Sequence, residues 1–590
     1  MIEILESRIA PAAVFYFTDV DGDHVKISSN LGTNTELAAA VTLGNAAQAA
    51  VGKPHQLEML TLGSDFAGAS ISITATPSND LNTASPVKSG DGFVNVGMIN
   101  APAIDLKSVT IHGDLGQIIV GDSNPKTLGL GSLNVQSMGD FGLTTWANSV
   151  NSRFENGVGS ITIAHDVNGV LLRAIATGSA TTAKIGSIYI GGNLIGGTTS
   201  DTGEIAADDG MGNVKIMGSV IGGSATNTGR IASTVGGNIA SISIGGNLIG
   251  GTAQTSGVLY SSADIGTVKI VGSIIGGTVT DSGRIETSSA GGGNIGNITI
   301  GGDLIGGTAA ATGNIYSPAN IGNVAIHGSV LGGSAGTTGG IYGANVGAVT
   351  IGGDLRGIQF SSTTAAEYTA YVHAQTNVKS VTIGGSVVSG QESGGGALTF
   401  SGAIQAGQTL GPVKVLGSVL GNLTSEVVIS GAGLAAVKGV KHDLAVTSVS
   451  VKESATFMQI EAGYDLSGNA ASGDAQMGAI TIGGDLIASD IIAGVKSSKG
   501  YFGDPTDTMI AKPSGDLTDG ILATIASITV GGQIEGTTAT ANTFGIEAQL
   551  IGSIKTGGVA LPLTKGSGND DFMLGATTGK DVHVREFAGT

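Results

Sequence analysis

The chain has 590 residues, of which 102 are glycine, 11 proline and none cysteine. Only 12% are charged, 41% are hydrophobic, the mean hydropathy is positive and the formal net charge is −19. This composition excludes a collagen, which needs glycine at every third residue with abundant proline, a disordered chain, which is poor in aliphatics, and a disulfide-stapled scaffold. The acidic field, offset by no basic run, excludes nucleic acid as a partner.

No stretch reaches the ~20 apolar residues of a membrane-spanning helix, so no transmembrane segment is expected. The first six residues carry acid where a secretory leader carries base, and no apolar core follows them. The segment Leu5-Glu6-Ser7-Arg8-Ile9-Ala10-Pro11-Ala12-Ala13 resembles the Leu-Glu-x-Arg-x-x-Pro-Ala motif near the start of large surface or secreted β-strand repeat proteins of Planctomycetes and Verrucomicrobia. The resemblance implies export or surface sorting, hence a cell-surface or extracellular location. Val14–Thr18 and His24–Ser28 read as a hairpin across the acidic turn Asp19–Asp23. The alanine-rich stretch Thr35–Val51 reads as a short helix. Residues 1–105 follow no period and are expected to cap what comes next.

A repeat begins near residue 106. Ile188–Gly197, Val214–Gly223, Ile242–Gly251 and Val268–Gly277 each read aliphatic-x-aliphatic, a glycine-containing corner, two aliphatics, then Gly-Gly. A polar corner residue serves as an anchor at Asp114, Asp140, Asp166, Asn193, Ser219, Asn247, Ser273, Asp303, Ser329, Asp354, Ser386, Ser418, Asp443, Asp465, Asp485 and Gln533. The spacing is near 26–28 residues over much of this series. A third short strand follows each Gly-Gly, as at Gly203–Ile205 and Gly229–Ile231. Three short strands per period predict an all-β fold, a three-sided parallel β-helix, because a propeller blade needs roughly 40–45 residues and four strands. The crossover preference makes it right-handed. Inward positions such as Ile190, Ile216, Ile244 and Ile270 should stack at about 4.8 Å, and glycines should mark the corners. Thr198, Ser224, Thr252, Thr278, Thr308 and Ser334, each after a Gly-Gly, are expected to form a hydroxyl ladder. The solenoid is assigned to residues 106–535, with an insertion near 497–520, and residues 536–590 to a C-terminal cap whose last strand is Asp581–Glu586.

Several residues are candidates for chemistry. Asp19, Asp21 and Asp23 cluster carboxylate oxygens of the kind that bind Ca²⁺. Asp114, Asp140 and Asp166, and likewise Asp443, Asp465 and Asp485, are expected to stack in consecutive coils, where like charges must splay apart, take up protons or bind a cation. Tyr260, Tyr316 and Tyr342 share one outward position on the third strand, as a ladder or as a face for glycans or a neighbouring chain. Glu204 beside Arg230 reads as a surface ion pair. The eight histidines show no metal-ligand spacing, and no nucleophile elbow, phosphate loop or zincin helix is present. A non-enzymatic, rod-like structural or assembly protein of an envelope, filament or lattice is therefore expected. It would be a homo-oligomer or lattice neighbour with no required cofactor, Ca²⁺ being the candidate ion. The alternatives are an adhesin or carbohydrate-binding shaft and, further off, a polysaccharide lyase or hydrolase.

Overall fold

The computed structural model describes residues 13–44, 55–79, 88–141, 149–177, 183–288, 292–360, 365–393, 396–434, 442–512, 520–537, 543–574 and 582–588. Residues 5–12, which carry the resemblance to a surface-sorting motif, lie outside these. The fold is almost wholly β, 2% helical, and forms a β-solenoid of about 15 turns of parallel stacked strands. The chain divides into two compact units, Met1–Ile270 with Glu286–Gly291, and Val271–Ile285 with Gly292–Thr590.

The first unit opens with the expected hairpin, Ala13–Thr18 against His24–Ser29, antiparallel with Thr18 opposite His24. Ser70–Thr76 extends it antiparallel and then pairs in parallel with Leu106–Gly121, Ile71 opposite Val109. That strand converts the hairpin cap into the solenoid. Leu57–Thr61 likewise lies parallel to Val96–Pro102, so parallel stacking begins before residue 106. The helix is shorter than expected, Asn34–Ala40. Its start is fixed by a capping box, with Thr33 Oγ1 accepting from the Glu36 amide and Glu36 Oε2 accepting from the Thr33 amide. The strand Val41–Leu43, which pairs with Leu57–Thr61, follows at once, and β-branched Val41 suits that strand better than another helical turn.

From Lys184 each turn contributes three strands, first Lys184–Ile190, then Leu194–Ile195, then Glu204–Ala207. Each pairs in parallel with its equivalent one turn later. The registers are Ile190 to Ile216 to Ile244 to Ile270 on the first face, Leu194 to Val220 to Leu248 on the second, and Ile205 to Ile231 to Leu259 on the third. All of these side chains are buried. At roughly 1.5–3 kcal/mol for each buried aliphatic, these columns are the core. In the second unit the same first-face column runs Ile300, Ile326, Ile351, Ile383, Val415, Val451, Ile482, Val530.

The corner anchors work through hydrogen bonds along the stack. The side-chain oxygen of one anchor accepts the backbone N–H of the next. Asn193 donates to Asp166, Ser219 to Asn193 and Asn247 to Ser219 at 2.5–3.0 Å. In the second unit the chain of donors runs Asp303 to Ser273, Ser329 to Asp303, Asp354 to Ser329, Ser386 to Asp354 and Ser418 to Ser386. Aspartate, asparagine and serine interchange here because each offers an acceptor at the same reach.

This ladder corrects both expected acid stacks. Opposite Asp114 stands Ser137, not Asp140, because Met138 pairs with Leu115 and with Val167. Ser137 donates its hydroxyl to Asp114 at 2.7 Å. In the later coils the acceptor after Ser418 is Ser454, which takes the Asp485 amide at 3.0 Å, and Asp485 takes that of Gln533 at 2.8 Å. Asp443 instead closes a loop, accepting from the Leu434 amide, and Asp465 caps its own turn through the Ser467 and Asn469 amides. In neither unit do two acids occupy successive rungs of the described column. Serine or asparagine separates them within the column, yet Asp140 stays beside it: its amide donates to Asp114 Oδ1 at 3.2 Å, and burial followed by the charges of Asp114 and Asp166 raises its carboxyl.

The expected hydroxyl ladder is displaced by four residues in the turns whose loops align. Ser224, Thr252, Thr308 and Ser334 contribute backbone N–H groups to the stack, to Gly197, Gly223, Gly277 and Gly307 respectively. The working hydroxyls are Thr202, Thr228, Ser256, Thr312 and Thr338. Each donates to the carbonyl three residues back and accepts the amide of the second glycine of the Gly-Gly pair. The following glycine, as at Gly203 and Gly229, sits at φ near +60°, where a Cβ would strain the backbone. The second glycine of the pair is needed for space, since a Cβ on Gly223 would strike the Gly197 carbonyl.

Glu204 and Arg230 are also corrected. They are opposite in register and 3.3 Å apart, but their side chains are only 6% and 11% exposed. Burial pushes Glu204 up to about 7 even beside the guanidinium, and Arg230 lies over the Tyr260 ring at 4.8 Å. This is a buried pair, where loss of one partner is costly.

Candidate functional site

On the third face of the second unit the outward positions change character along the stack. One outward column runs Tyr316, Tyr342, His373, Gln405, Ser430, Glu461, Ile492, Glu547, Arg585. A strand alternates sides, so this column is set by the buried inward residues just before it, among them Ile315, Ile341, Val372, Ile460 and Ile546. Most of the column is nevertheless buried. Loops cover it, including the insertion, in which Phe502 and Ile510 pack with Tyr464, Ile492 and Val495.

Aromatic rings occupy the first part. Tyr316 and Tyr342 stack with centroids 5.4 Å apart and planes 7° apart, as their shared register requires. Arg284 lies over Tyr316 at 5.9 Å. Tyr368 and Phe400 form a second stacked pair at 5.1 Å, and Tyr368 also meets His373 at 4.9 Å. Tyr368 and Phe400 both hold left-handed backbone, φ 60° and 53°. The same backbone recurs once per turn at Asp201, Asn227, Thr255, Asp281, Ala311 and Thr337, so these two rings sit at a regular corner of the solenoid that here carries aromatic side chains. Burial holds His373 down at about 4, so it is neutral at physiological pH.

Phe400 leads into two adjoining cavities of about 310 and 290 Å³ that also share Gln459. The first contains Glu426 and Asp490, with Tyr501 and Phe544; the second contains Glu461, with Tyr464 and Phe502. Asp490 Oδ1 accepts from the Gly545 amide at 2.7 Å. Glu461 is 6% exposed and has no hydrogen-bond or ion-pair partner among the described residues. Burial raises Glu426 to about 7. Burial, and then the charge of Glu426, raises Glu461 to about 8 and Asp490 well above its ordinary range. The groove therefore offers protonated carboxyls between aromatic walls. Beyond it, burial and Asp507 push Glu547 up to about 9.

The other candidates from the sequence fall elsewhere. Asp19, Asp21 and Asp23 are brought together, one carboxylate oxygen from each lying within 4.8 Å of the others. The Asp23 amide donates to Asp19 at 2.8 Å. Burial and a hydrogen bond donated to Asp21 push Asp19 up to about 8, while accepting that bond lowers Asp21, so the proton the two share sits on Asp19. Asp114 and Asp166 are engaged in the corner ladder, Asp140 flanks it, and Asp443, Asp465 and Asp485 lie apart as described above. Tyr260, in the first unit, is engaged by Arg230. A broader groove of about 580 Å³ lies on the first unit, lined largely by glycine backbone, but its Lys184 and Asp209 already pair with each other at 3.7 Å.

Glu426, Glu461 and Asp490 were not among the sequence candidates. The usable signal was the recurrence of Ile-Glu-Ala at Ile460–Ala462 and Ile546–Ala548, a charge at the tyrosine position of the third strand. No family model, curated protein or solved structure matches the chain.

Proposed function

We propose that this chain is a surface-displayed or secreted β-solenoid that binds carbohydrate on the third face of its second unit. The observation that carries the reading is the row of stacked aromatic rings leading into a groove of carboxyl and amide groups. Flat ring faces pack against the C–H faces of sugars, and the polar groups fix orientation through hydroxyls. Phe400 supplies one wall and is backed by the stacked ring of Tyr368, and Tyr342 is held in place by Gln375, whose Nε2 donates to its hydroxyl at 2.7 Å. The likeness of Leu5–Ala13 to a surface-sorting motif supports the location. A glycan array followed by titration tests the reading. Phe400→Ala and Tyr342→Ala should each weaken the selected glycan by about tenfold, roughly 1.4 kcal/mol, with the far-ultraviolet circular dichroism unchanged. Unaltered affinity in both variants would overturn it.

A second reading, side-by-side assembly of copies, is favoured by exposed apolar side chains. Met217 and Val235 in the first unit and Val271 in the second are 47%, 73% and 53% exposed, on a chain poor in charge. Concentration-dependent light scattering and electron microscopy of ligand-free protein test it. A strictly monomeric protein at high concentration would reject it.

A further inference from the structure

This inference rests on the carbohydrate reading above and names the class of sugar. Glu426, Glu461 and Asp490 line two adjoining cavities, yet among the described residues no Lys, Arg or His lines either one. The nearby cations are engaged elsewhere. Lys499 pairs with Asp504 at 2.7 Å, and Arg585 donates to the Asp504 carbonyl and lies 3.9 Å from both Glu547 and Asp571. Glu461 is the strongest pointer. It is more than nine-tenths buried and lines the cavity, and among the described residues it has neither a hydrogen-bond nor an ion-pair partner. A buried carboxyl in that position costs free energy unless something completes it.

An ammonium group would complete it, since it donates hydrogen bonds and lets the carboxyl ionise by releasing the proton that burial otherwise holds there. Among the described residues, three carboxylates close enough to grip a single metal ion occur at Asp19, Asp21 and Asp23 and not in this groove. The carboxyls here are divided between the two cavities, Glu426 and Asp490 in one and Glu461 in the other, and Phe400 lines both. That division suits separate ammonium groups carried on a chain of rings, and aromatic faces also attract ammonium.

We propose that the groove binds an oligosaccharide bearing free amino groups, with ammonium groups at Glu461 and at the Glu426–Asp490 pair and sugar rings against Phe400. A neutral sugar brings no charge to offset ionisation, so the carboxyls keep their protons and gain only hydrogen bonds, and a uronic acid adds like charge as soon as any of them ionises.

Isothermal titration of the full chain at neutral pH tests this with four probes: a β-1,4-linked glucosamine hexamer, its fully N-acetylated counterpart, an oligogalacturonate and the polyamine spermidine. The glucosamine oligomer should bind at least about tenfold more tightly than any of the others. Glu461→Gln and Glu426→Gln should each cost it about tenfold or more, with little effect on the acetylated oligomer and with circular dichroism unchanged. Equal or tighter binding of the acetylated oligomer or of the oligogalacturonate would overturn the amino-sugar assignment and leave the carbohydrate reading standing. Spermidine binding as tightly as the hexamer, or an absence of binding by all three oligosaccharides, would overturn both.

Discussion

Glu461→Gln is expected to make the protein more stable at neutral pH, not less. The side chain is 6% exposed and has no hydrogen-bond or ion-pair partner among the described residues, so the amide gives up no contact. In the unfolded chain Glu461 ionises at its ordinary 4.5, whereas burial and then the Glu426 charge raise it to about 8 in the fold. Between those values the folded state holds a proton that the unfolded state releases. The folded state therefore bears no penalty below pH 4.5 and loses stability as the pH rises through 8. At pH 7 the gap of 2.5 pH units, at about 1.4 kcal/mol per unit, makes the penalty about 3 kcal/mol. Glutamine does not titrate and removes it. The other ionisable groups around this one, Glu426, Asp490, Tyr464, Asp507 and Glu547, stay in both proteins, and the loss of the Glu461 charge relieves rather than opposes their own raised values. Urea unfolding of wild type and variant at pH 4 to 8 reads the effect. The curves should nearly coincide at pH 4, and the variant's advantage should grow to about 3 kcal/mol at pH 7. A pH-independent difference, or a variant less stable at pH 7, would refute the reasoning.

Ser329→Asp would set three carboxylates in successive rungs with Asp303 and Asp354. It should cost about 1–2 kcal/mol at neutral pH and recover in high salt or at pH 4, readable by urea midpoint. Thr228→Val keeps the shape of a buried side chain but strands the Ala225 carbonyl and the Gly223 amide, bonded at 2.6 and 2.9 Å. A loss of about 2–3 kcal/mol is expected, and a loss below half a kcal/mol would deny these corner hydroxyls their role. Arg230→Met leaves Glu204 buried without its partner. It should destabilise by about 3 kcal/mol at pH 8 and by much less at pH 5, where Glu204 is protonated, while Glu204→Gln in the same background should restore most of the loss.

The core and its winding were legible because aliphatic-x-aliphatic, corner and Gly-Gly repeat in every turn from Ile188 to Ile351. Identical local needs leave identical residues. The corner chemistry was only half legible. Asp, Asn and Ser at the anchors were visible, but their shared role as acceptors for the next amide appears only when rungs are stacked. Asp140 was therefore taken for Ser137, whose coil reaches its corner one residue sooner. Asp443 and Asp465 misled in the same way, since longer loops carry the true rung to Ser454, which lacks the flanking glycine pair. The groove was hidden because its residues lie far apart in sequence. Glu426, Glu461 and Asp490 come together only through the parallel register of three strands, and their unusual protonation comes from loops such as Ser497–Lys512 that read as mere insertion. Tyr316 and Tyr342 were legible because they share a position in a strand that repeats, whereas Tyr368 and Phe400, also one coil apart, occupy a corner position that holds Asp, Asn, Thr or Ala in the earlier turns.

A crystal structure of the chain soaked with the glucosamine hexamer tests the central claim most directly. Sugar rings stacked on Phe400, with amino groups within hydrogen-bond distance of Glu461 and of Glu426 or Asp490, are the predicted result. Rings bound instead over the Lys184–Asp209 groove, or a third-face groove left empty at saturating oligomer, would contradict it.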